Sequence, residues 1–127
     1  MESEFFEYNE KVFQTFQEII YACDMIINWN ENIKDYNDYL ISPDGVKNLA
    51  ATCMMVESIG ENIKNIDRLL PNFLNENYPE IPWRELKGVR DQIAHRYFRI
   101  DAEIVYDFVK NEIERLRKTC KIILGEE

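Results

Sequence analysis

The sequence predicts an all-α fold, an antiparallel bundle of three long helices and one shorter helix. Apolar residues recur at steps of three and four along most of the chain, which is the period of an amphipathic helix. No stretch alternates apolar and polar residues as a half-buried strand does, and there are only four glycines and four prolines. Because 127 residues leave room for one hydrophobic core, we expect a single helical domain over residues 1–127.

The first helix is predicted to run from Phe5 to about Ile33. Asn28, Asn30 and Asn32 lower helix propensity and mark its end. Its apolar face consists of residues at helical spacing, namely Phe5, Phe6, Val12, Phe13, Phe16, Ile19, Ile20, Cys23, Ile26 and Ile27.

The second helix has a clear start signal at Ser42-Pro43. Serine is a favoured N-cap, and proline suits the first helical position. Ile41 is expected to pack back on Val46, and Pro71 ends the helix. Three small residues on this helix predict a close approach by a neighbouring helix: Ala50, Ala51 and Gly60.

Two further helices complete the bundle. After a loop with room for one helical turn, Pro82 or Trp83 opens the third helix. Asp101 is predicted to be the N-cap of a single last helix that ends at Gly125.

The composition is acidic, with a net charge of −9, which argues against a general duplex-DNA binder. Cys23, Cys53 and Cys120 are dispersed without paired spacing, so we expect reduced core thiols rather than a zinc site. The N-terminus lacks a signal-peptide pattern, and no stretch reaches the roughly twenty apolar residues of a membrane span. These features predict a soluble cytoplasmic protein that does not associate with membranes or DNA.

A cationic segment stands out against this acidic background. Between residues 84 and 99 there are five Lys or Arg residues and two acids, a local balance of +3, and the segment includes the single histidine, His95. A cluster of this kind is typical of an anion-binding site. Its cations are Arg84, Lys87, Arg90, Arg96 and Arg99.

Arg90, His95 and Tyr97 are the residues of this segment best suited to chemistry on a phosphate. On an ideal helix Arg90 and His95 would lie about 140° apart, so they converge only if the helix ends near His95 or a second copy completes the site. Asp91 is one turn from His95 and could hold the imidazole by a hydrogen bond or raise its pKa.

A site of this composition could cleave RNA. Neutral imidazole can accept the proton of a 2′-hydroxyl, imidazolium can protonate the leaving 5′-oxygen, and a guanidinium can stabilise charge on the phosphate. One histidine is too few for both proton transfers, but a symmetric dimer supplies two. Residue chemistry alone also allows the plain alternative, in which His95 is structural and the arginines are solvated.

The arrangement Arg90, four residues, His95, Arg96, Tyr97 on a late helix of a short all-α chain resembles the HEPN superfamily. It is most similar to the HepT-like toxins, whose signature is Arg, four residues, His, any residue, Tyr. Residues 56–62 also look like that family's apolar helix with a Gly-Glu pair, and residues 82–91 look like its approach to the arginine.

The resemblance implies roles for individual residues. Arg90 and His95 would be the catalytic pair of a metal-independent endoribonuclease that needs no cofactor, with Asp91 and Arg96 in support. It also implies a homodimer whose two motifs line a cleft at the interface. A minimal nucleotidyltransferase antitoxin of the MntA type would use ATP to transfer AMP to Tyr97 and so neutralise the toxin.

Two alternatives of other kinds remain open at this point. The chain could be a non-catalytic HEPN-like module that binds a nucleotidyltransferase or a nucleotide, which its acidic composition favours. It could also be a purely structural helical oligomer.

The pair Glu57 and Glu61, one turn apart, could act as acid and base or as metal ligands, although a solvated stripe is the favoured interpretation.

Overall fold

The structure is a computed structural model that describes residues 2–93 and 98–126, with side chains described for 10–89, 91–93 and 101–126. Over these ranges it contains α-helices and one turn of 3₁₀ helix at Tyr36–Tyr39, and no strand. The all-α prediction is therefore confirmed. The helices are α1 (Glu2–Trp29), α2 (Pro43–Leu69), α3 (Phe73–Asn77), α4 (Trp83–Gln92), α5 (Phe98–Asn111) and α6 (Ile113–Ile123).

α1 and α2 are antiparallel and form the centre of the bundle. The end of α1 lies beside the start of α2, where Asn48 Nδ2 donates a hydrogen bond of 2.8 Å to the carbonyl oxygen of Trp29. α6 packs mainly on α1, α4 packs on α2, and α5 contacts both α2 and the 3₁₀ turn. The buried apolar side chains of these elements form one continuous core.

A buried polar network fixes the junction of α1 with α2. Asn30 is only 7% exposed, and its Nδ2 donates to the Ile26 carbonyl oxygen at 2.8 Å and to Thr52 Oγ1 at 3.1 Å. The Tyr39 hydroxyl donates to Asn30 Oδ1 at 2.5 Å. α1 ends at Trp29, earlier than the predicted Ile33, and the Ile26 carbonyl oxygen accepts both the backbone N–H of Asn30, at 3.0 Å, and its side-chain amide.

The start of α2 agrees with the sequence prediction. Ser42 is the N-cap, its hydroxyl accepts a 3.0 Å hydrogen bond from the Gly45 amide, and Pro43 is the first helical residue. Ile41 is 75% exposed, so the predicted packing on Val46 buries little of its side chain.

Two predictions about the last helix are corrected. The expected single helix is divided into α5 and α6 at Glu112, whose φ of −119° departs from helical values. Hydrogen bonds of 2.9 Å continue on both sides, from Glu112 N to Phe108 O and from Leu116 N to Glu112 O, so no loop separates the two helices. Asp101 is not the N-cap: α5 already begins at Phe98, and Asp101 lies in its first turn at 2% exposure.

Candidate active site at the junction of α4 and α5

α4 carries the first half of the predicted motif, and one face of this helix is buried in the core. Trp83, Leu86 and Val89 recur every three residues and are at most 8% exposed, so one stripe of α4 faces the core. Trp83 Nε1 also donates a 2.8 Å hydrogen bond to the Tyr78 carbonyl oxygen, which fixes the start of the helix.

Gly60 allows α4 to lie close to α2. A Cβ at this position would be 3.3 Å from the carbonyl oxygen of Leu86 and 3.5 Å from that of Lys87. The predicted role of a small residue in helix packing is thus confirmed for Gly60. It is not confirmed for Ala50, which is exposed.

The predicted catalytic motif spans the junction of α4 with α5. Arg90 occupies the last turn of α4, which ends at Gln92, and α5 begins at Phe98. Only the backbone of Arg90 is described, and His95, Arg96 and Tyr97 lie outside the described residues. The roles assigned to these four residues therefore stay predictions.

The boundaries of α4 and α5 decide whether Arg90 and His95 lie on one continuous helix. Regular α4 stops at Gln92, so the 140° separation calculated for Arg90 and His95 on one continuous helix does not apply here. Ile93, directly after the helix, is 5% exposed and anchors its end in the core. The chain thus leaves α4 from a fixed point, two residues before His95.

α2 also contacts α5, the helix that follows the junction. The first turn of α5 packs against α2 near Cys53, and burial, followed by the carboxylates of Asp101 and Glu57, raises the pKa of the Cys53 thiol to about 12. A buried acid in the first turn of a helix is favoured by the helix dipole. Asp101 and Glu57 thus both lie near Cys53, and each has an interaction partner.

The predicted pair Glu57 and Glu61 does not look like an acid–base dyad. Glu61 is exposed and forms an ion pair with Lys64 at 3.7 Å, while Glu57 is half-buried towards Cys53. The two carboxylates therefore differ in their exposure to solvent.

Asp91 is exposed on the outer stripe of α4. It lies in a shallow groove of about 390 Å³ between α2 and α4. Arg84 and Lys87 of this groove belong to the predicted cationic segment, whereas its charged residues on α2 came from no sequence motif. Lys64 and Arg68 are four residues apart on α2, a spacing that places them on one face, but their proximity to α4 depends on tertiary packing. The charged residues of this groove are Lys64, Asp67, Arg68, Arg84, Lys87 and Asp91.

A larger depression, of about 780 Å³, lies at the other end of α2. It is lined by Trp29, Ile41 and Asn48 among others, and Trp29 is 37% exposed at its edge. Asn48 is twelve residues, or about 18 Å along the helix axis, from Gly60. This depression is therefore separate from the region where α2 meets α4.

The cysteines behave as predicted for core thiols. Cys23, Cys53 and Cys120 are free and buried. Burial is the main cause that raises the pKa of each thiol, to about 12 for Cys120 and well above its usual range for Cys23. Such thiols are poor nucleophiles near neutral pH, because the thiolate is the reactive form.

Two kinds of feature are absent from the described part of the chain. Residues 2–93 and 98–126 include no group of three or more His, Cys, Asp or Glu arranged to hold a metal ion. Over the same residues, none of the helices combines the length and apolar character of a membrane span.

Comparison with known proteins identifies the family. The model of the family described as "Ribonuclease HepT-like" matches residues 19–123, which include the whole α4–α5 junction. No solved structure matches the chain.

Three relatives illustrate the similarity. A Methanocaldococcus jannaschii protein named "Putative RNase MJ1216" is 35% identical over 109 residues, covering 86% of this chain and 84% of the relative. "Probable ribonuclease HepT" of Thermococcus cleftensis is 34% identical over 101 residues, or 80% and 84% of the two chains. "Putative RNase TTE0752" of Caldanaerobacter subterraneus is 31% identical over 111 residues, or 87% and 92%. The chain therefore belongs to the HepT-like ribonuclease family of the HEPN superfamily.

Proposed function

We propose that this chain is the toxin of a toxin–antitoxin pair, a metal-independent endoribonuclease that cleaves RNA in the cytoplasm with Arg90 and His95. The observation that carries the proposal is the family match over residues 19–123, because it includes both halves of the motif. The helix boundaries are compatible with it, since the end of α4 at Gln92 removes the register that would hold Arg90 and His95 apart.

The proposed reaction is an internal phosphoryl transfer. The neutral imidazole of His95 takes the proton from a ribose 2′-hydroxyl, and the 2′-oxygen forms a bond to the adjacent phosphorus. The bond from phosphorus to the 5′-oxygen breaks, and an imidazolium gives its proton to that oxygen. The products are a 2′,3′-cyclic phosphate and a 5′-hydroxyl. The reaction as proposed requires neither a metal nor a cofactor.

Arg90 would hold the scissile phosphate and stabilise the charge that develops on it. Asp91 would support His95 by a hydrogen bond or by its charge, and Arg96 would add a further positive charge beside the phosphate. The exposure of Asp91 leaves its carboxylate accessible for such a contact.

We further propose that the active form is a homodimer. The chain has one histidine, whereas a concerted exchange needs one imidazole as base and one imidazolium as acid. Two copies of the motif facing each other would supply both groups, and each copy would retain its own Arg90.

Regulation would act on Tyr97. A nucleotidyltransferase of the MntA type would transfer AMP from ATP to the Tyr97 hydroxyl, and pyrophosphate would leave. The added phosphate carries negative charge and bulk next to Arg90 and His95, so it would occupy the position of the substrate phosphate. ATP is consumed by the antitoxin, and this chain uses no nucleotide itself.

Co-expression with the nucleotidyltransferase encoded beside this gene tests the proposal. Wild type alone should arrest growth and His95→Ala should not. The transferase should relieve arrest by wild type, with an added mass of one or more AMP units that is absent from Tyr97→Phe. An unmodified mass in the presence of an active transferase would contradict the regulation by AMP.

A second candidate is a non-catalytic module that binds the nucleotidyltransferase. The net charge of −9 favours it, because RNA must approach an acidic protein. This candidate predicts that His95→Ala still binds the transferase and that wild type cleaves no RNA.

A further inference from the structure

The groove between α2 and α4 is a locally positive surface on an acidic protein. Its charged lining consists of four cations and two carboxylates, a balance of +2, so the rest of the chain sums to −11. We refer to it as the α2–α4 groove, formed by Lys64, Asp67, Arg68, Arg84, Lys87 and Asp91.

One ion pair forms the base of the groove. Lys87 Nζ lies 2.5 Å from Asp67 Oδ2, and both side chains are only about a quarter exposed, at 26% and 24%. This pair joins α4 to α2 and neutralises one cation with one acid. Lys64 pairs with Glu61 at 3.7 Å, so the remaining positive charge comes from Arg68 and Arg84.

The two arginines are available to a ligand. Arg68 is exposed and donates a hydrogen bond to the amide oxygen of Asn65, a neutral partner that leaves the charge of the guanidinium uncompensated. Arg84 is exposed, and no ion pair joins it to any residue whose side chain the structure describes. Guanidinium groups bind phosphate through two parallel hydrogen bonds, which makes arginine well suited to a nucleic-acid backbone.

The groove leads towards the predicted catalytic motif. Arg84, Lys87 and Asp91 follow one another at steps of three and four, so they share one stripe of α4. Arg90 comes three residues after Lys87, which is about 4.5 Å along the helix axis, and six residues after Arg84, which is about 9 Å. A strand whose scissile phosphate lay at Arg90 would thus have its neighbouring phosphates within reach of the groove.

We propose that the α2–α4 groove binds the phosphates of RNA that flank the cleavage site, with Arg68 and Arg84 as the principal contacts. The inference rests on the proposed nuclease function, and it adds the path of the RNA strand along the protein surface. A local positive groove gives the strand an electrostatically favourable path past an otherwise acidic surface. These contacts fix position and affinity and do not read the base sequence.

The test uses a 5′-fluorescein-labelled oligouridylate of twenty nucleotides and full-length protein carrying His95→Ala, so that the probe is not cut. Fluorescence anisotropy gives Kd at a series of KCl concentrations for this parent and for two double variants built on it. The groove variant is Arg68→Ala with Arg84→Ala. The matched control is Arg115→Ala with Lys118→Ala, which removes the same charge from exposed positions on α6, a helix that packs mainly on α1 and α5.

We expect the groove variant to bind about tenfold more weakly and the slope of log K against log salt to fall by about 1.4, or 0.7 for each lost contact with a single strand. The control should keep the affinity and slope of the parent. Equal losses in both variants would overturn the proposal, because net charge and not the groove would then govern binding. An unchanged groove variant, or a parent that does not bind the probe at about 50 mM salt, would overturn it as well.

RNA cleavage by the chain with His95 intact separates this proposal from the nuclease function. Cleavage by wild type, together with an unchanged groove variant, would overturn the groove and leave the function standing. Weaker binding by the groove variant, with no cleavage by wild type, would support the groove while the function fails. All four substituted residues are exposed, so both double variants should melt at the temperature of the parent, which excludes misfolding as the cause of weaker binding.

Discussion

A methyl group at Gly60 would lie 3.3 Å from the carbonyl oxygen of Leu86, so the absence of a side chain here sets how closely α4 approaches α2. By contrast, a Cβ added at Gly88 on α4 would meet no atom within 4 Å. The two glycines therefore offer a matched pair, one at a helix contact and one in open space.

Gly88→Ala should raise the free energy of unfolding by about 0.5–1 kcal/mol, because alanine costs less backbone entropy in a helix than glycine. Gly60→Ala should fall short of that gain, and Gly60→Leu should lower stability by about 1–3 kcal/mol through overpacking. Urea denaturation of the three variants measures this order. A Gly60→Leu variant as stable as Gly88→Ala would show that α4 is not held close to α2.

The network around Asn30 predicts that Tyr39→Phe is costly. The change leaves the buried Asn30 Oδ1 without its 2.5 Å donor, which should cost about 1–3 kcal/mol of stability. Tyr21→Phe makes the same chemical change at a side chain that is 62% exposed, and should alter stability by less than about 0.5 kcal/mol. Equal melting temperatures for the two variants would exclude this network as a stabilising element.

The buried thiols predict loss of stability in alkali. The pKa of Cys53 and of Cys120 is raised from 9.0 to about 12, so the native thiols stay protonated while those of the unfolded chain ionise. The unfolded state then binds fewer protons, and stability falls as the pH rises above 9, by up to about 1.4 kcal/mol per thiol and pH unit. Denaturation at pH 8 and pH 10 measures the loss, which Cys120→Ala should reduce.

The same thiols should resist alkylation in the folded protein. At pH 8 iodoacetamide should leave the native mass unchanged over the time in which it modifies the three cysteines in urea. Rapid modification of the native protein would mean that at least one of these thiols is accessible.

Arg90→Ala should lower the rate of RNA cleavage by about 10²–10³-fold, the usual cost of removing a donor that stabilises developing charge. Arg115→Ala is the matched control, because Arg115 is exposed on α6 and paired with Glu112 at 2.7 Å. Single-turnover cleavage of labelled RNA compares the two variants. A rate for Arg90→Ala within a few-fold of the control would remove Arg90 from the proposed mechanism.

Local sequence signals predicted most of the fold. The Ser42-Pro43 start of α2 needs only its own side chains, and the stop before Pro71 follows from the chemistry of proline. Asp101 misled the prediction because an acid suits both an N-cap and the first turn of a helix. Burial against α2 decides between these positions, and burial is a tertiary property that a local pattern does not contain.

The candidate site likewise has one part that the sequence predicted and one part that depends on tertiary packing. The spacing of Arg90, His95 and Tyr97 can be read directly along the chain, and the family that it suggested is the one whose model matches. The α2–α4 groove could not be predicted, since Arg68 and Arg84 are sixteen residues apart and meet only after α4 packs on α2. The ion pair of Lys87 with Asp67 depends on the same packing.

Cleavage of labelled RNA by purified protein in excess EDTA tests the central claim most directly. We predict that wild type cuts the RNA to fragments with 2′,3′-cyclic phosphate and 5′-hydroxyl ends, and that folded His95→Ala does not. Equal cleavage by the two proteins, or no cleavage by wild type free of AMP, would contradict the proposal that this chain is a ribonuclease acting through His95.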